Sequence, residues 1–163
     1  MRWGVVSILM LVASTTHAED ERALSGSIGY ATFSVPGEAM DNMPPPTLTP
    51  SGGFALAGSF ERSLGTDVAL RAELAGGMFF GGEQKPEQGS RSYALLGDAG
   101  LAFRFDGFKY VPYAFAGLGA VATLGGAIDD GVDFVLVAGG GLDWMVNRKR
   151  SYGVELRLAS FGS

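Results

Sequence analysis

The chain has 163 residues, of which 47% are hydrophobic, 18% are charged and 26 are glycine. Charge falls well below the quarter typical of soluble domains, and Gly, roughly 1 kcal/mol worse than Ala in a helix interior, is too frequent for a helix-rich fold. A net charge of −5 offers no basic footprint for nucleic acid, and the absence of cysteine removes disulfides and thiolate metal sites.

The chain opens with "MRWGVVSILMLVASTTHA", which combines a basic residue (Arg2), an apolar run from Val5 to Ala13 and a polar stretch ending Thr16-His17-Ala18. This pattern predicts a secretory leader over residues 1–18, cut after Ala18. The apolar run is too short to span a bilayer as a helix. Removing the leader takes Arg2 from the 12 basic residues and leaves all 17 acidic ones, for a net charge of −6. It also removes His17, the one histidine. Residues 19–163 are then expected to form a single domain.

Alternation of period two runs through that domain and predicts strands. The first covers about 23–34, with Leu24, Gly26, Ile28, Tyr30 and Thr32 on one face. The second, 53–62, sets Phe54, Leu56, Gly58 and Phe60 against Ala55, Ala57, Ser59 and Glu61. The third, 67–80, sets Val68, Leu70, Ala72, Leu74, Gly76, Met78 and Phe80 against Arg71, Glu73, Ala75 and Gly77. The fourth, 92–105, presents Tyr93, Leu95, Gly97, Ala99, Leu101, Phe103 and Phe105, with Asp98 and Arg104 opposite. The fifth, 110–123, carries Val111, Tyr113, Phe115, Gly117, Gly119 and Val121 on one side. The sixth, 132–145, presents Val132, Phe134, Leu136, Ala138, Gly140, Leu142 and Trp144, with Asp143 opposite. The seventh, 152–161, presents Tyr152, Val154, Leu156 and Leu158, with Glu155 and Arg157 opposite.

The connections alternate in kind. "SLGTD", "DGFK" and "NRKRS" are short and polar, whereas the segments around 35–51, 81–90 and 124–131 are longer and rich in Gly, Pro and acids. Short periplasmic turns alternating with longer outer loops are the layout of a transmembrane β-barrel. The faces agree with this. The neighbours of the charged residues are Ala, Gly and Ser, which suit a narrow lumen, while the opposite face is large and apolar over about ten residues per strand. Aromatic residues near strand ends (Tyr30, Phe80, Tyr93, Phe103, Phe105, Tyr110, Tyr113, Trp144, Tyr152) are expected at the membrane interfaces. Arg71, Glu73, Asp98, Arg104, Asp143, Glu155 and Arg157 are expected to pair inside, with Glu61 facing the same lumen. A competing reading takes the uncharged run Val111–Ile128 as a membrane helix, but it contains Pro112 and four glycines, and its aromatics recur at spacing two.

Little catalytic chemistry is available. Without Cys, and without His once the leader is cut, Ser-His and Cys-His nucleophiles are excluded. The lumen carboxylates suit ion pairing better than acid–base work. "GLGAVA" (117–122) has part of a dinucleotide fingerprint without its helix, and "DDGVD" (129–133) lacks calcium-loop spacing. No cofactor and no metal are expected. The proline run 44–46 predicts a stiff, extended loop, and "NRKR" (147–150) a solvated basic turn.

"YVPYAFAGLGAVATL" resembles a strand of OmpA-like, opacity-type outer-membrane barrels that reads Pro-Tyr-x-x-x-Gly-x-Gly, here Pro112, Tyr113, Gly117 and Gly119. "FVLVAGGGLDWMVNRKRSYGVELRLASF" resembles the hairpin that follows it. The resemblance covers the mature chain in layout and implies an eight-stranded up-and-down barrel in the outer membrane of a Gram-negative bacterium, with no particular activity. It implies outer-membrane lipid and the barrel assembly machinery as partners. Seven strands are identifiable, whereas such barrels have an even number; a final strand beyond Ser163 is the favoured expectation, with an unusual closure or a miscounted strand as the alternatives. The reading is an all-β, antiparallel transmembrane barrel with a polar, ion-paired core, acting structurally or through loops 35–51, 81–90 and 124–131. A narrow channel or an apolar-ligand barrel is the alternative.

Overall fold

A computed structural model describes residues 3–17, 22–36, 45–82, 90–105, 107, 109–126, 130–147 and 149–162. Among the described residues, alternating side-chain character forms nine strands: β1 (Trp3–His17), β2 (Arg22–Pro36), β3 (Thr47–Leu48), β4 (Gly52–Ser63), β5 (Val68–Phe80), β6 (Arg91–Arg104), β7 (Tyr110–Leu124), β8 (Gly131–Asn147) and β9 (Arg150–Gly162). β3 is a two-residue extension on the end of β2. The other eight pair antiparallel in chain order, and β1 pairs with both β2 and β9. The sheet therefore closes into an eight-stranded up-and-down barrel. Among the described residues, closure pairs both edges of each of the eight long strands. One irregularity lies near Met145, where the β8–β9 register shifts.

The eighth strand lies at the start of the chain. Residues 3–17, read from sequence as part of a leader, run between β2 and β9, with Leu9 opposite Tyr30 on one side and Leu156 on the other. An apolar run of this length fits an export leader and a strand equally well by composition. Like β7, β1 is largely apolar on both faces over residues 5–12. Val5, Leu9 and Leu11 point outward, while Val6, Ile8 and Met10 are buried inside.

The run Val111–Ile128 is no helix. Tyr110–Leu124 is strand β7, and among the described residues no helix is long and apolar enough to cross a membrane. At one end of the barrel the connections are short (18–21, 64–67, 105–109 and 148–149). At the other end the strands lead into the longer connections 37–51, 81–90 and 125–130, and Trp3 of β1 and Gly162 of β9 lie there too. Gly81, Gly82, Gly125 and Gly126 take positive φ there, a conformation that costs Gly little and other residues much. Positions 37–44, 83–89 and 127–129, which include Pro44 and Asp129, lie outside the described residues, as does Arg148 in the basic turn.

The faces follow the predicted alternation on six strands. On β5, Leu70 and Leu74 are exposed while Arg71 and Glu73 are buried. β7 is the exception. Tyr113, Phe115 and Val121 are buried in the lumen, and Ala114, Ala116, Leu118 and Ala120 form the outer face. Tyr113 is thus a core residue and takes no part in an outer aromatic belt. The reason is packing: both rings lie against the glycine run of β8. A Cβ at Gly141 would sit 2.6 Å from the Tyr113 ring, and one at Gly139 would sit 2.5 Å from that of Phe115. Gly117 faces inward with the rings, where a Cβ would press on the Ala99 carbonyl oxygen at 2.8 Å.

Candidate functional site: the charged core of the barrel

The lumen has two storeys. Toward the short turns it is ionic. Arg71 and Glu73 of β5 share an inward face because they are two apart, as are Glu155 and Arg157 of β9. The barrel brings these two pairs together. Arg71 Nη2 lies 2.7 Å from Glu73 Oε2 and 2.9 Å from Glu155 Oε2. Arg157 Nη2 donates to Glu73 Oε2 at 2.6 Å and also contacts Glu155. The result is a ring of two guanidiniums and two carboxylates, with Glu155 and Arg157 each only 1% exposed. The Tyr113 hydroxyl donates to Glu155 Oε2 at 2.8 Å. The Arg71 guanidinium lies 4.0 Å from the centroid of the Phe115 ring, a cation–π arrangement.

A second cluster lies beside the first. Arg104 Nη2 is 2.6 Å from Glu61 Oε2, and its Nη1 is 3.1 Å from Asp143 Oδ2. Arg71 Nη1 is 3.9 Å from Glu61 Oε1, which links the two clusters. Six of the seven ion-pair candidates read from the sequence therefore join one network, with Glu61 as a further member. Asp98 differs. It is half-buried and opposite Glu73 in register, and among the described residues its Oδ2 has no hydrogen-bond partner.

Toward the long connections the lumen is apolar. Phe33 and Phe79 meet edge to face with centroids 5.1 Å apart, and Leu96, Val121 and Val135 pack in the same buried cluster with Val6 and Ile8 of β1. The gap left there is small, about 30 Å³. A cavity with apolar walls stays dry. Sequence reading did not find this storey, because single bulky residues among Ala and Gly carry no signal until their strands are brought together.

The chemistry of the site is that of a seal. A buried charge is tolerated when it is paired and hydrogen-bonded, and here each guanidinium meets at least two carboxylates. Among the described residues no group of three or more His, Cys, Asp or Glu is placed to hold a metal ion. Of the family-like motif, Tyr113, Gly117 and Gly119 face the lumen, while Pro112 lies on the outer face. No protein-family model matches the chain, and no curated protein matches it.

Proposed function

We propose that this protein is a small outer-membrane β-barrel of the OmpA-like, opacity type, with a sealed interior, working as a structural or surface-interaction element without catalysis. The observation that carries this reading is its inverted polarity. Arg157 and Glu155 are buried at 1% exposure, whereas Leu74 is 59% exposed and Leu118 55%. A soluble barrel places its charges in water, and an apolar outer wall of this extent far exceeds the few hundred Å² that soluble monomers expose. In a bilayer core the same wall is solvated by lipid, and a closed barrel pairs its strand backbones internally.

Two belts support the reading. At the long-connection end Tyr30, Phe54, Met78 and Tyr93 occupy one row across β2, β4, β5 and β6. At the short-turn end Tyr110, Trp144 and Tyr152 are opposite one another across β7, β8 and β9, with Lys109 Nζ 5.6 Å from the Trp144 ring. Ten residues separate Tyr93 from Phe103 on β6. At about 3.4 Å per residue and a tilt near 45°, that distance spans roughly 24 Å of membrane normal, close to the height of the apolar band of such barrels.

Export by the leader-like residues 1–18 belongs to this reading, and these residues also supply β1. The two uses compete, because cutting after Ala18 removes the strand that closes the barrel. With the long connections facing outward, Trp3 and Gly162 lie at the outward end, and loops 35–51, 81–90 and 124–131 form the surface available to partners. Insertion would go through the barrel assembly machinery. Among the described residues, ion pairs and apolar side chains fill the lumen in two storeys, which favours a plug over a channel. Planar-bilayer recording of the full-length protein tests this: inserted protein is expected to be silent, and stepwise single-channel currents would replace the plug with a pore.

A further inference from the structure

The outer wall is interrupted by an open groove near the long-connection end. On β5 Gly76 faces outward, and its partners across the sheet are Leu56 on β4 and Leu95 on β6. A Cβ on Gly76 would meet nothing within 4 Å. On the far side of Leu95 stands another small residue, Ala122 of β7. Missing side chains at Gly76 and Ala122 between leucine walls leave an apolar groove of about 510 Å³, bordered at its upper end by Tyr93 and Leu124.

Arg91 stands above this groove. It lies on the same face of β6 as Tyr93, two residues nearer the long connections, and it is exposed. Two residues of strand are about 7 Å, the offset expected between the top of an acyl chain and its headgroup phosphate. Arg91 is the one basic residue among the described residues at that end of the barrel. A groove whose lining is apolar apart from the Tyr93 hydroxyl fits hydrocarbon, and a guanidinium at the aromatic belt fits a phosphate, to which it can donate two parallel hydrogen bonds.

We propose that this groove seats an acyl chain of an anionic, phosphate-bearing membrane lipid whose phosphate is held by Arg91, with phosphatidylglycerol as the probe. The proposal rests on the membrane reading above and adds a specific lipid position to it. The long-connection end of the wall joins both elements at this one place among the described residues, a hydrocarbon groove with a guanidinium above it.

The test uses the full-length protein in mild detergent, incubated with phosphatidylglycerol or phosphatidylcholine of identical acyl chains and examined by native mass spectrometry. One equivalent of phosphatidylglycerol is expected to remain bound where phosphatidylcholine is stripped. Arg91→Gln is expected to reduce phosphatidylglycerol retention roughly fivefold, the effect of one basic residue at a membrane surface, and to abolish the preference. Gly76→Leu fills the groove floor and is expected to release the bound phosphatidylglycerol, and Ala122→Leu tests the same point from β7. Equal retention of the two lipids by the unaltered protein, or retention unchanged by both leucine variants, overturns the proposal. A heat-resistant, detergent-dependent barrel that holds neither lipid overturns the groove alone. A chain that stays folded in water without detergent overturns the membrane reading and the groove with it.

Discussion

Replacing Arg157 with Met removes one of the two cations from the buried ring while keeping much of the side-chain volume. Glu73 and Glu155 are then left to share Arg71, whose Nη2 already lies 2.7 Å and 2.9 Å from them. Arg157 is 1% exposed, so water does not replace the lost partner. Breaking a buried ion pair by removing one member costs about 3–5 kcal/mol, because a charge is left uncompensated in a low-dielectric site. With a urea dependence of about 1–3 kcal/mol per molar for a small protein, the unfolding midpoint should fall by at least ~1 M. The assay is urea titration of the full chain in lipid vesicles, with the folded fraction read by intrinsic fluorescence. Adding Glu73→Gln to Arg157→Met removes the surplus charge and should recover part of the loss, with a coupling of at least ~0.5 kcal/mol between two residues in contact. A loss below ~1 kcal/mol, the value of a screened surface pair, would show that the ring is hydrated and would refute the sealed core.

Three further outcomes are expected. Leu74→Arg places a charge near mid-height of the outer wall and should destabilise the vesicle-embedded barrel by ~2–4 kcal/mol; no change in the same titration would place that face in water. Tyr113→Phe deletes the hydroxyl that bonds Glu155 and should cost ~1.5–3 kcal/mol, the value of a hydrogen bond to a charged group, against almost nothing if Tyr113 stood at a wet interface. The SDS-resistant species should have an intact mass that includes residues 3–17, because β2 and β9 both need β1 as a partner; a resistant species beginning at Glu19 would show that closure is achieved another way.

The faces of most strands were legible because period two fixes them without knowledge of partners. On β5 and β9 a charged pair two residues apart, among small neighbours, is enough to mark the lumen side. β7 misleads because both of its faces are uncharged, so neither pattern nor charge says where Tyr113 and Phe115 point. The available clue is the run Gly139-Gly140-Gly141, which makes room for two rings on the neighbouring strand, but it becomes readable only with the β7–β8 register in hand. β1 is illegible for a different reason. Val, Ile and Leu in a short run serve a leader and a buried strand alike, and only the two unpaired edges of β2 and β9 reveal the second use. The storey packed around Phe33 and Phe79 is assembled from strands distant in sequence, so no local pattern announces it.

The central claim is a closed barrel with a paired ionic core and a lipid-facing wall. The most direct test is an SDS gel of the full-length protein purified from membranes, unheated beside boiled. The account predicts a compact band in the unheated lane that converts to a slower, unfolded band on boiling. A single band of unchanged mobility, from protein recovered in the aqueous fraction without detergent, would contradict it.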